Sequence, residues 1–139
     1  MRVMAIDYGD VRTGIAISDL TGLLAGYAVT VQATSPQKLA AQICTLCREH
    51  DVGELVLGYP KNMDGSLGAR AEKSETLAEL LRRETGLPVT LWDERRTTTD
   101  AHRILHANGK REKKHKKTVD AVAAALILEG YLQYRRINP

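Results

Sequence analysis

Three acids stand where chemistry could be done. Asp7 follows four consecutive apolar residues, Val3-Met4-Ala5-Ile6. Glu94 closes the run Val89-Thr90-Leu91-Trp92-Asp93-Glu94. Asp120 stands at the head of an unusually apolar stretch that continues to Leu128. A carboxylate at the end of a buried element needs a cation or hydrogen bonds, because an unpaired buried charge is very costly. Three carboxylates brought together would repel one another, and a divalent cation resolves the conflict. An all-oxygen ligand set suits Mg²⁺ or Mn²⁺ and not zinc. Such a centre carries out metal-assisted attack of water on a phosphodiester. Taken separately, the same residues are a turn aspartate, a rim glutamate and a helix-capping aspartate, and spacing alone leaves both readings open.

Around the acids lie groups that could hold a polyanion. Arg12, in the turn after Asp7, is either a bidentate phosphate clamp or a surface arginine. Arg95 either contacts nucleic acid or orients Glu94. Residues 110–117, Lys-Arg-Glu-Lys-Lys-His-Lys-Lys, concentrate positive charge on a chain whose remaining residues are slightly acidic. In isolation this run is a solvated loop. Leading directly into Asp120, it is placed for Lys113, Lys114, Lys116 and Lys117 to hold a nucleic-acid backbone. Two other pairs are read as structural. His102 and His106 lack a third ligand nearby, and Cys44 and Cys47 fall inside an expected helix with no second pair for zinc.

The elements that must position these groups follow from pattern. Asp7-Tyr8-Gly9 and Gly14 bracket a turn between an apolar strand and a second one, Ile15–Ser18, giving a hairpin with an acid at its mouth. A third strand spans 23–31. Ser35 caps and Pro36 begins a helix that stops near His50. Residues 54–58 form a short buried strand, and strand, helix, strand in that order suggests a right-handed parallel crossover. A turn-rich loop leads to a helix over 69–84, closed by Gly86 and Pro88. Residues 89–92 form the last strand. Thr97 or Thr98 caps a helix running to Asn108-Gly109, and a final helix begins near Thr118. The order is β-β-β-α-β-α-β-α-α, and in such sheets functional groups gather at the carboxyl ends of parallel strands. Asp7 and Glu94 meet there if their strands are neighbours. Asp120, at a helix N-terminus, is favoured in its ionised form by the helix dipole.

With 139 residues the chain is expected to form one domain, 1–139, large enough for a real core. A net charge of +3 excludes little by itself. The longest apolar run, Ala121 to Leu128, is too short for a bilayer, and the chain enters a strand at once without a signal sequence, so a cytoplasmic protein with no membrane partner is expected. The absence of Phe, with one Trp and five Tyr, gives no aromatic platform for binding single strands by stacking.

Five short motifs occur in order: Asp7-x-Gly9-x-x-Arg12-x-Gly14, Ser18-Asp19, Gly58-x-Pro60-x-Asn62-Met63-Asp64-Gly65, Asp93-Glu94-Arg95-x-Thr97-Thr98 and Asp120-Ala121-x-Ala123-Ala124. Together they make the chain resemble the YqgF/RuvX family of the RNase H-like superfamily, the pre-16S rRNA nucleases and Holliday junction resolvase-like proteins, over nearly its whole length. The resemblance implies an α/β, RNase H-like fold with a five-stranded mixed sheet, three antiparallel strands then βαβαβ, flanked by helices. It also implies Asp7, Glu94 and Asp120 as the catalytic, metal-binding acids. Tyr59, Arg96 and Val11 depart from the family pattern without touching those acids, and no fourth carboxylate stands out. The expected function is a Mg²⁺- or Mn²⁺-dependent nuclease acting on structured RNA, most concretely at the 5′ end of pre-16S rRNA. The alternatives are a resolvase of branched DNA, which should be a two-fold homodimer rather than a monomer, and a non-catalytic nucleic-acid-binding module. A sugar-kinase or actin-like ATPase needs two such domains, and this chain has room for one.

Overall fold

A computed structural model describes residues 1–20, 25–60, 68–93 and 112–138, without the side chains of residue 25 and residues 112–120. The sheet is made of β1 (Arg2–Asp7), β2 (Arg12–Ser18), β3 (Ala25–Gln32), β4 (Val52–Tyr59) and β5 (Val89–Asp93). Their order is β3-β2-β1-β4-β5. β2 runs antiparallel to both β1 and β3, while β4 is parallel to both β1 and β5. The helices are α1 (Pro36–Glu49), α2 (Ala69–Thr85) and α3 (Glu112–Ile137). The expected helix before Asn108 lies outside the described residues.

β1 is buried on both sides because its side chains alternate between two cores. Met4 and Ile6 join Ile15, Ile17, Leu55 and Leu57 against Ile43 of α1 and Leu77 and Leu81 of α2. Val3 and Ala5 join Ala16 and Val56 against Ala124, Ile127 and Leu128 of α3. Alanines on the sheet and on the helix let α3 approach closely. This two-sided burial explains why the strand reads as an unbroken apolar run and not as an alternation.

Local chemistry sets the ends. The Ser35 hydroxyl accepts from the Lys38 amide at 3.2 Å, with Pro36 in the first turn of α1. Gly86, at φ 71°, ends α2 in the left-handed conformation a Cβ disfavours. At the other end of the hairpin, the buried Ser18 hydroxyl accepts from the Val3 amide at 2.8 Å.

Strand order and the start of the last helix decide points that pattern left open or misplaced. β4 lies between β1 and β5, so the strands leading to Asp7 and Glu94 are not neighbours. The crossover through α1 is parallel as expected, and it joins β3 to β4 over the two strands β2 and β1 that lie between them. The final helix begins at Glu112 and not near Thr118, so Asp120 stands more than two turns inside α3 and not at its N-terminus. The dipole argument for Asp120 therefore falls, since that field acts within the first turn. Residues 112–117 of the basic run are helical, not a loop, because Glu, Lys and His carry no helix breaker to stop the apolar helix from extending backwards.

Candidate active site

The carboxyl ends of β1, β4 and β5 form one rim of the sheet, and Asp7 is the last residue of β1. Successive strand residues alternate sides, which puts Asp7 on the side of Val3 and Ala5, facing the α3 layer. Gly14 of β2 is paired directly with it. On the other flank Ile6 pairs with Leu57, which brings Gly58 level with Asp7, and Gly58 in turn pairs with Trp92 of β5. Asp7 thus stands between two residues without side chains. In the row Gly14, Asp7, Gly58, Trp92 neither neighbouring strand places a side chain directly beside the carboxylate. Among the described residues this is the one strand-end acid facing α3: Asp93 follows Trp92 and alternates to the α1–α2 side.

The turn that carries Asp7 onwards is tight. A Cβ at Gly9 would lie 2.2 Å from the Arg12 carbonyl oxygen, a distance no side chain tolerates. The turn is also tied to α2. Arg70 donates to the Tyr8 carbonyl at 3.2 Å, and Asp10 receives Arg70 at 3.4 Å and Lys73 at 3.7 Å. Arg12 is half-buried in β2 and alternates to the side of Gly14 and Asp7.

α3 crosses the same side, packing on β1, β2, β3 and β4. The backbone of Asp120 lies one turn before Ala124, whose side chain is fully buried in that interface. The far end of α3 is anchored: Tyr131 donates to Glu54, Arg135 pairs with Glu54 at 3.0 Å, and Trp92 packs edge-on against Tyr131 and Tyr134 with ring centres 5.8 Å apart. Burial and the bond to Glu54 push the Tyr131 phenol above its ordinary value. Glu94 and Arg95 lie outside the described residues, as do His102 and His106. Lys113, Lys114, Lys116 and Lys117 occupy the first two turns of α3. Among the described residues no three metal-ligating side chains gather at one point.

Sequence reasoning missed the two glycines beside Asp7 and the cations of α2 at the turn. The glycines sit inside quoted motifs, but only strand pairing shows that they flank one carboxylate. Arg70 and Lys73 carry the helical spacing of one face, a signal that a search for charge clusters passes over. The paired cysteines lie in α1 as expected. Cys47 is buried and its thiol is pushed up to about 12 by burial, with Cys44 beside it. No helix among the described residues is long and apolar enough to cross a membrane.

A five-stranded mixed sheet with three leading antiparallel strands, an acid ending the first of them and a helix layer on that acid's side define a protein of RNase H-like fold. The fold is shared with T. thermophilus RuvC in complex with a Holliday junction substrate: TM-score 0.63, 17% identity, covering 99% of this chain and 96% of that one. The chain belongs to the RuvX family, described as Holliday junction resolvase, which it matches over residues 1–134. Two relatives carry the provisional name of pre-16S rRNA nuclease. The one from Halothermothrix orenii is 45% identical over 136 residues, 97% of this chain and 96% of its own. The one from Desulfitobacterium hafniense strain DCB-2 is 44% identical over 136 residues, 98% of this chain and 94% of its own.

Proposed function

We propose that the protein is a divalent-metal-dependent nuclease of structured RNA that trims the 5′ end of pre-16S rRNA in the cytoplasm, acting as a single domain of residues 1–139. One observation carries the reading. Asp7 stands at the carboxyl rim between two glycines, in a chain similar over nearly its full length to relatives named for that activity. The all-oxygen donor set, with glycines on the strands either side of Asp7, fits Mg²⁺ or Mn²⁺. Asp7, Glu94 and Asp120 are the residues that would hold the ion. When bound, it activates water and stabilises the leaving oxygen.

The chain's own groups do the rest. Asp7 supplies negative charge at a fixed point, set by a strand buried along its length. Arg12, on the same side of the hairpin, receives a phosphate through its guanidinium fork. Arg95 contacts the backbone next to Glu94. The lysines at 113, 114, 116 and 117 collect the polyanion along the head of α3.

The experiment is a side-by-side cleavage assay of the purified protein on a pre-rRNA 5′ leader and on a four-way DNA junction, each with Mg²⁺ or Mn²⁺. Preferential cleavage of the leader is expected. Preferential, paired cleavage of the junction by a dimer would replace the proposal with the resolvase reading, which the description of the RuvX family favours. Binding of either without cleavage would leave a binding module.

A further inference from the structure

On the side of the hairpin turn opposite Asp7 lies a groove of about 610 Å³, lined by Tyr8, Asp10, Pro36, Lys73, Thr76 and Leu77, with Glu72 at its edge. It runs between the start of α1 and the first turns of α2. We propose that this groove is a nucleotide subsite, taking one unpaired nucleotide of the RNA substrate with its base against Tyr8, Pro36 and Leu77 and its phosphate at Arg70 and Lys73. The proposal rests on the nuclease reading and adds to it a feature of the substrate that the enzyme recognises.

Four observations converge. Tyr8 directly follows Asp7 and alternates to the other side, so the two sites share one wall, and a strand crossing the rim at Asp7 passes next over the groove. The volume lies in the range of small-molecule sites, about 300–1,000 Å³, enough for a base and far too small for a duplex. The floor is apolar and presents an aromatic ring, which stacks any base without regard to sequence, while Asp10 and Glu72 can accept from exocyclic amines. Finally, cations stand beside it: Lys73 lines the groove, and Arg70 lines the small adjoining cleft that shares Tyr8, Asp10 and Lys73 with it. The Arg70 and Lys73 side chains are more than half exposed; both meet Asp10, through contacts of 3.4 and 3.7 Å, and Arg70 also donates to the Tyr8 carbonyl. Exposed pairs of this kind contribute about 0–1 kcal/mol, so a phosphate displaces Asp10 at little cost.

Two RNA hairpins serve as probes, identical except that one carries a single unpaired 2-aminopurine nucleotide, whose fluorescence falls on stacking. They are titrated without divalent metal, so nothing is cut. The native protein is expected to bind the bulged hairpin about ten-fold tighter than the plain one, with quenching. Tyr8→Leu, which keeps the apolar volume, should lose both the preference and the quench while binding the plain hairpin unchanged. Lys73→Ala and Arg70→Ala should each lower the salt slope on the bulged hairpin by about 1. Asp10→Asn, which removes the carboxylate that both cations meet, should tighten it. Equal affinity of the native protein for the two hairpins, or a quench retained in Tyr8→Leu, overturns the subsite. A preference shown only by the DNA counterpart of the bulged hairpin overturns the RNA assignment. Failure to bind any of these nucleic acids overturns the nuclease reading itself.

Discussion

Asp7 is placed by the β1 backbone and flanked by glycines on both neighbouring strands. Asp7→Asn is nearly isosteric and removes the charge that holds a cation. Cleavage should fall at least about 100-fold, Mn²⁺ affinity measured by titration should fall with it, and RNA affinity should stay or rise as repulsion from phosphate is relieved. Cleavage at the parental rate under saturating Mg²⁺ would locate the activity elsewhere. Gly9 is a second single-residue control. Gly9→Ala forces the turn away from the Arg12 carbonyl and should lower stability by about 1–3 kcal/mol in urea unfolding. Unchanged stability would show that the turn can open. Cys47 has a different signature. Its folded pKa, raised from 9.0 to about 12, means the fold favours the protonated thiol. That contribution is complete below pH 9 and is lost as pH rises towards 12. Cys44 should therefore react with a thiol reagent first, Cys47 reacting only slowly near pH 8, as a two-phase time course would show.

Among the elements, α3 has a division of labour along its length. Its second half is buried against the sheet and locked by Glu54, Tyr131 and Arg135; its first half carries the lysines and Asp120. Tyr131→Phe removes the donor to Glu54 and should cost about 1–3 kcal/mol, since the lost bond is to a charged group. It should also weaken the decline in stability at alkaline pH. Because the Tyr131 pKa is raised in the fold, its contribution is present below about pH 10 and lost as pH rises through the higher folded value. Thermal unfolding of both proteins at pH 8 and above pH 10 tests this, and identical pH dependence would show that the phenol has no such share.

At the scale of the molecule, the proposed function needs the rim of the sheet and the head of α3 to act as one edge along which a polynucleotide would lie. Neutralising Lys113, Lys114, Lys116 and Lys117 together should weaken nucleic-acid binding uniformly across sequences. The slope of log affinity against log salt should flatten by up to about 4, one for each lost phosphate contact. An unchanged slope would make these lysines a solvated helix face. The edge also bears on substrate choice. A resolvase must present two such edges to one junction through a two-fold axis, whereas a nuclease trimming one RNA end needs only one edge.

By itself the sequence determined the element types, because they depend on local patterning: the apolar run of β1, the Ser35-Pro36 start of α1, the Gly86 stop of α2. It also determined the candidate acids and the family, since short motifs in fixed order survive in one dimension. Only the tertiary structure decided what stands beside what. The insertion of β4 between β1 and β5, the glycines on both flanks of Asp7, and the meeting of Tyr8 with Pro36 and Leu77 across a groove all depend on strand order and register. These are fixed by burial of two faces at once, through residues far apart in the chain. The start of α3 was misplaced for a related reason. A charged helix face and a charged loop have the same composition, and continuity with a packed apolar helix selects between them.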